Sequence, residues 1–242
     1  MENEKLSKKR QEQDIPSSSV VLDDPHITAM EAIVMAGGGI DKGLGPPDIN
    51  ELQEVQLDRE RRAKIDKIAI DSNILSYFVD VTLPDYDPIN DHETLRNEKI
   101  STLRIALYAR DVHLYILPLV EIEWKRISDS QRRFLHSVGK LVVFSSRPWK
   151  IDQTKLNQLI SNLLKNHPKE QDCQLLAEAE LSGMKIILTN DNGFITKLSG
   201  KTSVTILRPS EYFKKLNIKI GTPPIRRPDK SNPLIHKTWW VI

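Results

Sequence analysis

The chain has 242 residues, of which 28% are charged and 39% hydrophobic, and a net charge of +2. This suits one globular domain with appended segments and excludes a uniformly basic coat for gripping nucleic acid. The single cysteine, Cys173, excludes an intramolecular disulfide framework or a multi-cysteine zinc site, no apolar run reaches the roughly 20 residues that span a bilayer, and the charged opening MENEKLSKKRQEQD leads into no apolar signal segment, so the expected setting is a reducing cytoplasm with no membrane.

Residues 1–65 read as an N-terminal arm. Short helices are predicted at 26–36 and 48–64, separated by VMAGGGIDKGLGPPD, whose Gly and Pro break any element. No apolar face here is wide enough for a core, so the arm is expected to be flexible or ordered by a partner.

From Lys67 the pattern alternates between strand and helix. KIAID is a short apolar run of the kind that makes a buried parallel strand, with a helical turn behind it at 73–79. The loop 80–92 carries Asp85, Asp87 and Asp91, expected to be solvated. Apolar residues at Leu95, Ile100, Leu103, Ile105, Leu107 and Tyr108 predict an amphipathic helix over 95–110. VHLYILP is the second strand, stopped by Pro118, with helix expected over 119–135; LVVFSS is the third. Helices follow at 151–164 and 172–181, the second ended by Gly183. KIILTND and VTILRP are strands four and five, and 211–216 a last short helix. The expectation for 66–216 is an α/β domain: a central parallel sheet flanked by helices in three layers. Residues 217–242 form a Pro-rich basic tail with two readings. It packs along the domain through Trp239 and Trp240, or it is an arm in which Arg226, Arg227, Lys230 and Lys237 touch phosphate while a tryptophan stacks on a base.

The chemistry gathers where strands end. In open α/β sheets, sites form beyond the carboxyl ends of the strands, and Asp71 stands at the end of the first. Alone it reads equally as a helix N-cap. Acids recur, however: Glu121 and Glu123 behind the second strand, Asp191 at the end of the fourth, and Asp172 opening the helix before it. Carboxylates that converge on one edge repel and raise each other's pKa. A hard divalent cation resolves that conflict, and a carboxylate-held Mg²⁺ or Mn²⁺ points to phosphoryl chemistry. Rival signatures are missing. The only GGG follows no strand, no serine sits in a nucleophile elbow, and the six histidines lack HExxH spacing. His167, within Asn-His-Pro, reads as a turn.

IDSNIL, then PLVEIE, then DCQLLAEAELSGMKIILTNDNGF together resemble the PIN-domain family of metal-dependent ribonucleases, VapC-type toxins included. The last block carries most of the likeness, with Asp172, Leu175, Ala177, Ala179, Gly183, Thr189, Asp191 and Phe194 at matching spacing. The resemblance covers about 67–213 and neither the arm nor the tail. It implies a PIN-like fold and an endoribonuclease cutting single-stranded RNA with Mg²⁺ or Mn²⁺, water attacking phosphorus to leave a 5′-phosphate and a 3′-hydroxyl. Asp71, Glu123, Asp172 and Asp191 would hold the metal, with Asn73 and Thr189 in support. Glu121, one helical step away, is the alternative to Glu123. Many toxin members carry a further acid at the position of Gly193, which puts a second metal in doubt. The resemblance also implies a toxin of a toxin–antitoxin pair or a processing enzyme, a homodimer, and an antitoxin or other protein partner for the N-terminal arm. Lys125, Arg126 and Arg147 are candidate RNA contacts, flanking the acids with positive charge. The alternative to a nuclease is a non-catalytic PIN-like module that binds RNA or a protein. An aspartyl-nucleophile phosphatase is a weaker third, because Asn73 stands where that chemistry wants a second aspartate.

Overall fold

The computed structural model describes residues 66–109, 112–142, 144–145, 150–228 and 233–242. The expected N-terminal arm with its two helices, and Arg147, lie outside them. Five strands, β1 (Asp66–Ile70), β2 (Val112–Tyr115), β3 (Phe144–Ser145), β4 (Ile186–Leu188) and β5 (Thr205–Leu207), form one sheet in the order β3-β2-β1-β4-β5. Every pairing is parallel. β1 is central, and Ile68, Ala69 and Ile70 are all fully buried, which explains why its sequence is a continuous apolar run rather than an alternation.

Among the described residues, eight helices connect and cover the strands: α1 (Ser72–Thr82), α2 (Glu93–Tyr108), α3 (Pro118–Lys125), α4 (Ser130–Val142), α5 (Gln153–Leu163), α6 (Glu170–Leu181), α7 (Asn192–Leu198) and α8 (Pro209–Lys215). α1 packs on α2 and α4, α2 on α8, and α6 on α3 and α5. α6 ends at Gly183, whose φ of 69° is in the region that glycine reaches without a Cβ clash.

Three expectations are corrected. The helix expected over 119–135 is two helices. The N–H groups of Arg126 and Ile127 close tight turns onto the carbonyls of Glu123 and Trp124, and the Asp129 carboxylate accepts the Arg132 N–H at 3.0 Å to start α4. Apolar periodicity did not register this turn because both helices put apolar residues inward. The third strand is shorter than LVVFSS, since Leu141 and Val142 belong to α4. The acidic loop is not simply solvated. Asp87 caps the 3-10 turn Pro88–Asn90 through the Ile89 N–H, while Asp91 accepts from the Tyr86 hydroxyl at 2.7 Å and the Lys99 ammonium at 3.1 Å. Lys99, buried on α2, also meets Asp80 at 3.2 Å, so its charge is balanced from both sides.

The Pro-rich segment packs along the domain. The Arg104 guanidinium on α2 donates to the carbonyls of Trp239, Trp240 and Val241, and Trp240 is buried with its indole N–H on the Leu234 carbonyl at 2.8 Å. Arg226, one of the cations considered for phosphate, donates instead to the Ala106 carbonyl. Arg104→Ala keeps Trp240 but strips the donor from three carbonyls. It is expected to cost about 1.5–3 kcal/mol in urea unfolding, against about 3–5 kcal/mol for Trp240→Ala.

Candidate functional site

From β1 the chain moves outward to β2 and β3, then crosses back to β4 and β5 on the other side. The order therefore reverses between β1 and β4, and in open α/β sheets sites form beyond the carboxyl ends at such a reversal. Ile70 pairs with Leu188, and Leu188 with Leu207. The ladder continues one step further, with Asp71 N–H on the Leu188 carbonyl and Thr189 N–H on the Leu207 carbonyl, both at 3.0 Å. Asp71, Thr189 and Arg208 thus leave the sheet side by side.

Asp71 is at once the N-cap of α1 and the centre of a polar cluster. Its Oδ1 accepts the Ser72 N–H at 2.6 Å; its Oδ2 accepts the Asn73 amide and the Thr189 hydroxyl, each at 2.7 Å. Thr189, fully buried, uses the same oxygen to accept the Asp191 N–H at 3.0 Å, so one hydroxyl ties two of the acids together. Burial raises the Asp71 pKa to about 6, and the Glu123 and Asp172 carboxylates add to the rise, while bonds from Thr189 and Ser72 oppose it. These carboxylates are therefore electrostatic neighbours.

The two candidate glutamates on α3 separate. Glu121 is paired with Lys125 at 3.0 Å, whereas the charge felt at Asp71 is that of Glu123. Behind them lies Glu178, a residue that sequence reasoning missed. It is buried on α6, accepts the Leu119 N–H at 3.0 Å and the Gln174 amide at 2.8 Å, and caps the first turn of α3. Burial, then Glu123, pushes its pKa up against the hydrogen bonds that lower it. The signal was present as an acid between Ala177 and Ala179 on the inward face of that helix.

Asp172 and Asp191 meet two cationic or potentially cationic groups. Asp172 Oδ2 is 2.6 Å from the buried His167 Nε2 and 3.6 Å from the Lys169 ammonium. Asp191 Oδ1 caps α7 through the Gly193 and Phe194 N–H groups, and its Oδ2 lies 2.6 Å from Lys169. Lys169 is the main reason that the Asp191 pKa is lowered. Asn-His-Pro therefore does more than turn. The glycine at 193 has a physical account: a Cβ there would sit 3.1 Å from Asp191 Oδ1 and 3.6 Å from His167 Cε1.

Whether a metal fits depends on how these side chains converge. As placed, no three His, Cys, Asp or Glu side chains among the described residues converge on one point. Lys169 lies on the Asp172–Asp191 side, and the Asp71 oxygens are turned to Ser72, Asn73 and Thr189. The donor set still suits a hard divalent cation, being all carboxylate and including one whose charge is disfavoured by burial and by two others. Of the expected RNA contacts, Lys125 is paired with Glu121, and Arg126 is exposed at the end of α3. No family model matches the chain, and no curated protein matches it at a significant level.

A raised carboxyl pKa has a definite sign. The folded chain holds the Asp71 proton more tightly than the unfolded one, so stability falls as pH rises from about 4 to about 6. In EDTA, Asp71→Asn is expected to remove that part of the pH dependence. Above pH 6 it should be more stable than the parent by roughly 1–3 kcal/mol, discounted for Asp71's partial exposure. Paired melting curves from pH 4 to 8 measure it.

Proposed function

We propose that the chain is a PIN-like, metal-dependent endoribonuclease acting on single-stranded RNA. The observation that supports this most is Asp71: a half-buried carboxylate at the reversal of a parallel sheet, raised in pKa by burial and to a lesser extent by Glu123 and Asp172, and joined to Asp191 through one threonine hydroxyl. Carboxylates that raise the pKa of a buried neighbour are costly to a chain with no use for them.

In this reading Asp71, Glu123, Asp172 and Asp191 hold Mg²⁺ or Mn²⁺. The ion would supply Lewis acidity and lower the pKa of water near the phosphodiester. Thr189 and Asn73 fix the Asp71 oxygens, and Glu178 fixes the start of the helix that carries Glu123. No side chain acts as nucleophile. Whether the role is that of a toxin or of a processing enzyme, with the N-terminal arm as the surface for an antitoxin or a second copy, belongs to the same proposal.

One observation favours a second reading. Lys169 already neutralises the Asp172–Asp191 side, which suits a module that binds RNA or a protein without cutting it. Cleavage of mixed single-stranded RNA in Mn²⁺, Mg²⁺ and EDTA separates the two. The nuclease reading expects metal-dependent cutting, reduced about 10–100-fold by Thr189→Val and more strongly by Asp71→Asn. No cutting under either metal by a folded chain that binds RNA supports the second reading. In the same assay Glu123→Gln is expected to abolish activity and Glu121→Gln to leave most of it, an order that its reversal would overturn.

A further inference from the structure

Beyond Asp191 the row of strand-end side chains continues with a cation. Arg208 is the first residue past β5, in register with Thr189 and Asp71 through the Leu207, Leu188 and Ile70 ladder. With adjacent strands about 4.8 Å apart, its backbone lies on the order of 10 Å from that of Asp71 along the same edge. Its guanidinium donates to the side-chain oxygens of Asn190 and Asn192. Asn190 is fixed in turn, its amide donating to the Tyr77 hydroxyl at 2.7 Å and its N–H to the Asn73 oxygen at 3.4 Å, and Asn73 is bonded to Asp71.

This arginine combines neutral partners with a place on the strand-end edge beside Thr189 and Asp71. Lys125 is paired with Glu121, Arg132 with Asp80, and Lys169 with Asp191 and Asp172. Arg104 and Arg226 serve the carbonyls of the Pro-rich segment and of α2. Among the described residues no carboxylate pairs with the Arg208 guanidinium. Glu211, the nearest acid in sequence, spends its carboxylate on the Arg208 backbone N–H at 2.9 Å. Two amide oxygens therefore orient the guanidinium and leave its charge uncompensated, with other N–H donors spare on a fork that matches phosphate.

We infer that Arg208 is a substrate-positioning residue that binds a backbone phosphate of single-stranded RNA, one or two nucleotides from the phosphodiester held at Asp71. This rests on the nuclease reading above. The Arg208–Asn190–Asn73–Asp71 connection makes the spacing between the two phosphates a property of the sheet rather than of a loop. It also supplies positive charge where the acids repel RNA.

The test uses full-length Asp71→Asn, which holds RNA uncut, and fluorescence anisotropy of labelled single-stranded RNA across a salt series in EDTA. Adding Arg208→Met is expected to weaken binding roughly tenfold at low salt and to lower the slope of log K against log salt by about 0.7, the value for one phosphate contact on a single strand. Arg208→Lys should keep most of that slope. A purely structural arginine would lower affinity or melting temperature without changing the slope, and that result, or unchanged binding, overturns the inference. If the Asp71→Asn parent binds no RNA at any salt and the unmutated chain cuts none, the nuclease reading itself fails.

Discussion

The burial of one negative charge constrains much of this architecture. Asp71 follows three fully buried residues of the central strand, so its carboxylate emerges where solvent is scarce and the sheet changes direction. A carboxylate there needs donors, and they come from three places: the helix it caps, an amide two residues along, and a hydroxyl at the end of the neighbouring strand. The pairing of β1 with β4 brings that hydroxyl within reach, so register and site geometry are one requirement. The same threonine accepts from Asp191, which carries the constraint to the start of α7.

Around this centre, charge is handled in layers. Glu178 is buried and hydrogen-bonded to the first turn of α3, so it serves as a helix cap from across the interface. Lys169 answers the outer acids on a long, half-exposed side chain. The outer pair also has fixed partners, the buried His167 on Asp172 and the Gly193 and Phe194 N–H groups on Asp191, so Lys169 adds charge to acids that are already oriented.

Much of this was legible in the residues. The run of Ile68, Ala69 and Ile70 revealed a parallel strand because both its faces are covered, and Gly183 marked the end of α6 because it alone could take the turn. Asp71, Asp172 and Asp191 were legible because each stands at a boundary between elements. Four participants were not. His167 sat in what looked like a turn, and Glu178 was hidden in a helical pattern that scores acids as outward-facing. Lys169 gains meaning only when α6 and α7 are brought together across 22 residues. Arg208 was read as part of a strand ending in Pro209. The break between α3 and α4 was lost for a related reason: hydrogen bonds make the turn, and hydrophobic period does not record them.

The clasp between Arg104 and the Trp239–Val241 carbonyls joins parts of the chain 135 to 137 residues apart. Closing so long a loop carries a large entropy cost and little local reward, so the clasp forms late, once α2 exists to receive it. Its residues are not a separate layer, however: Leu234 and Trp240 are buried in the same apolar cluster as the central strand. Opening the clasp would expose part of that shared core, so the C-terminal segment and the sheet are tied into one cooperative unit.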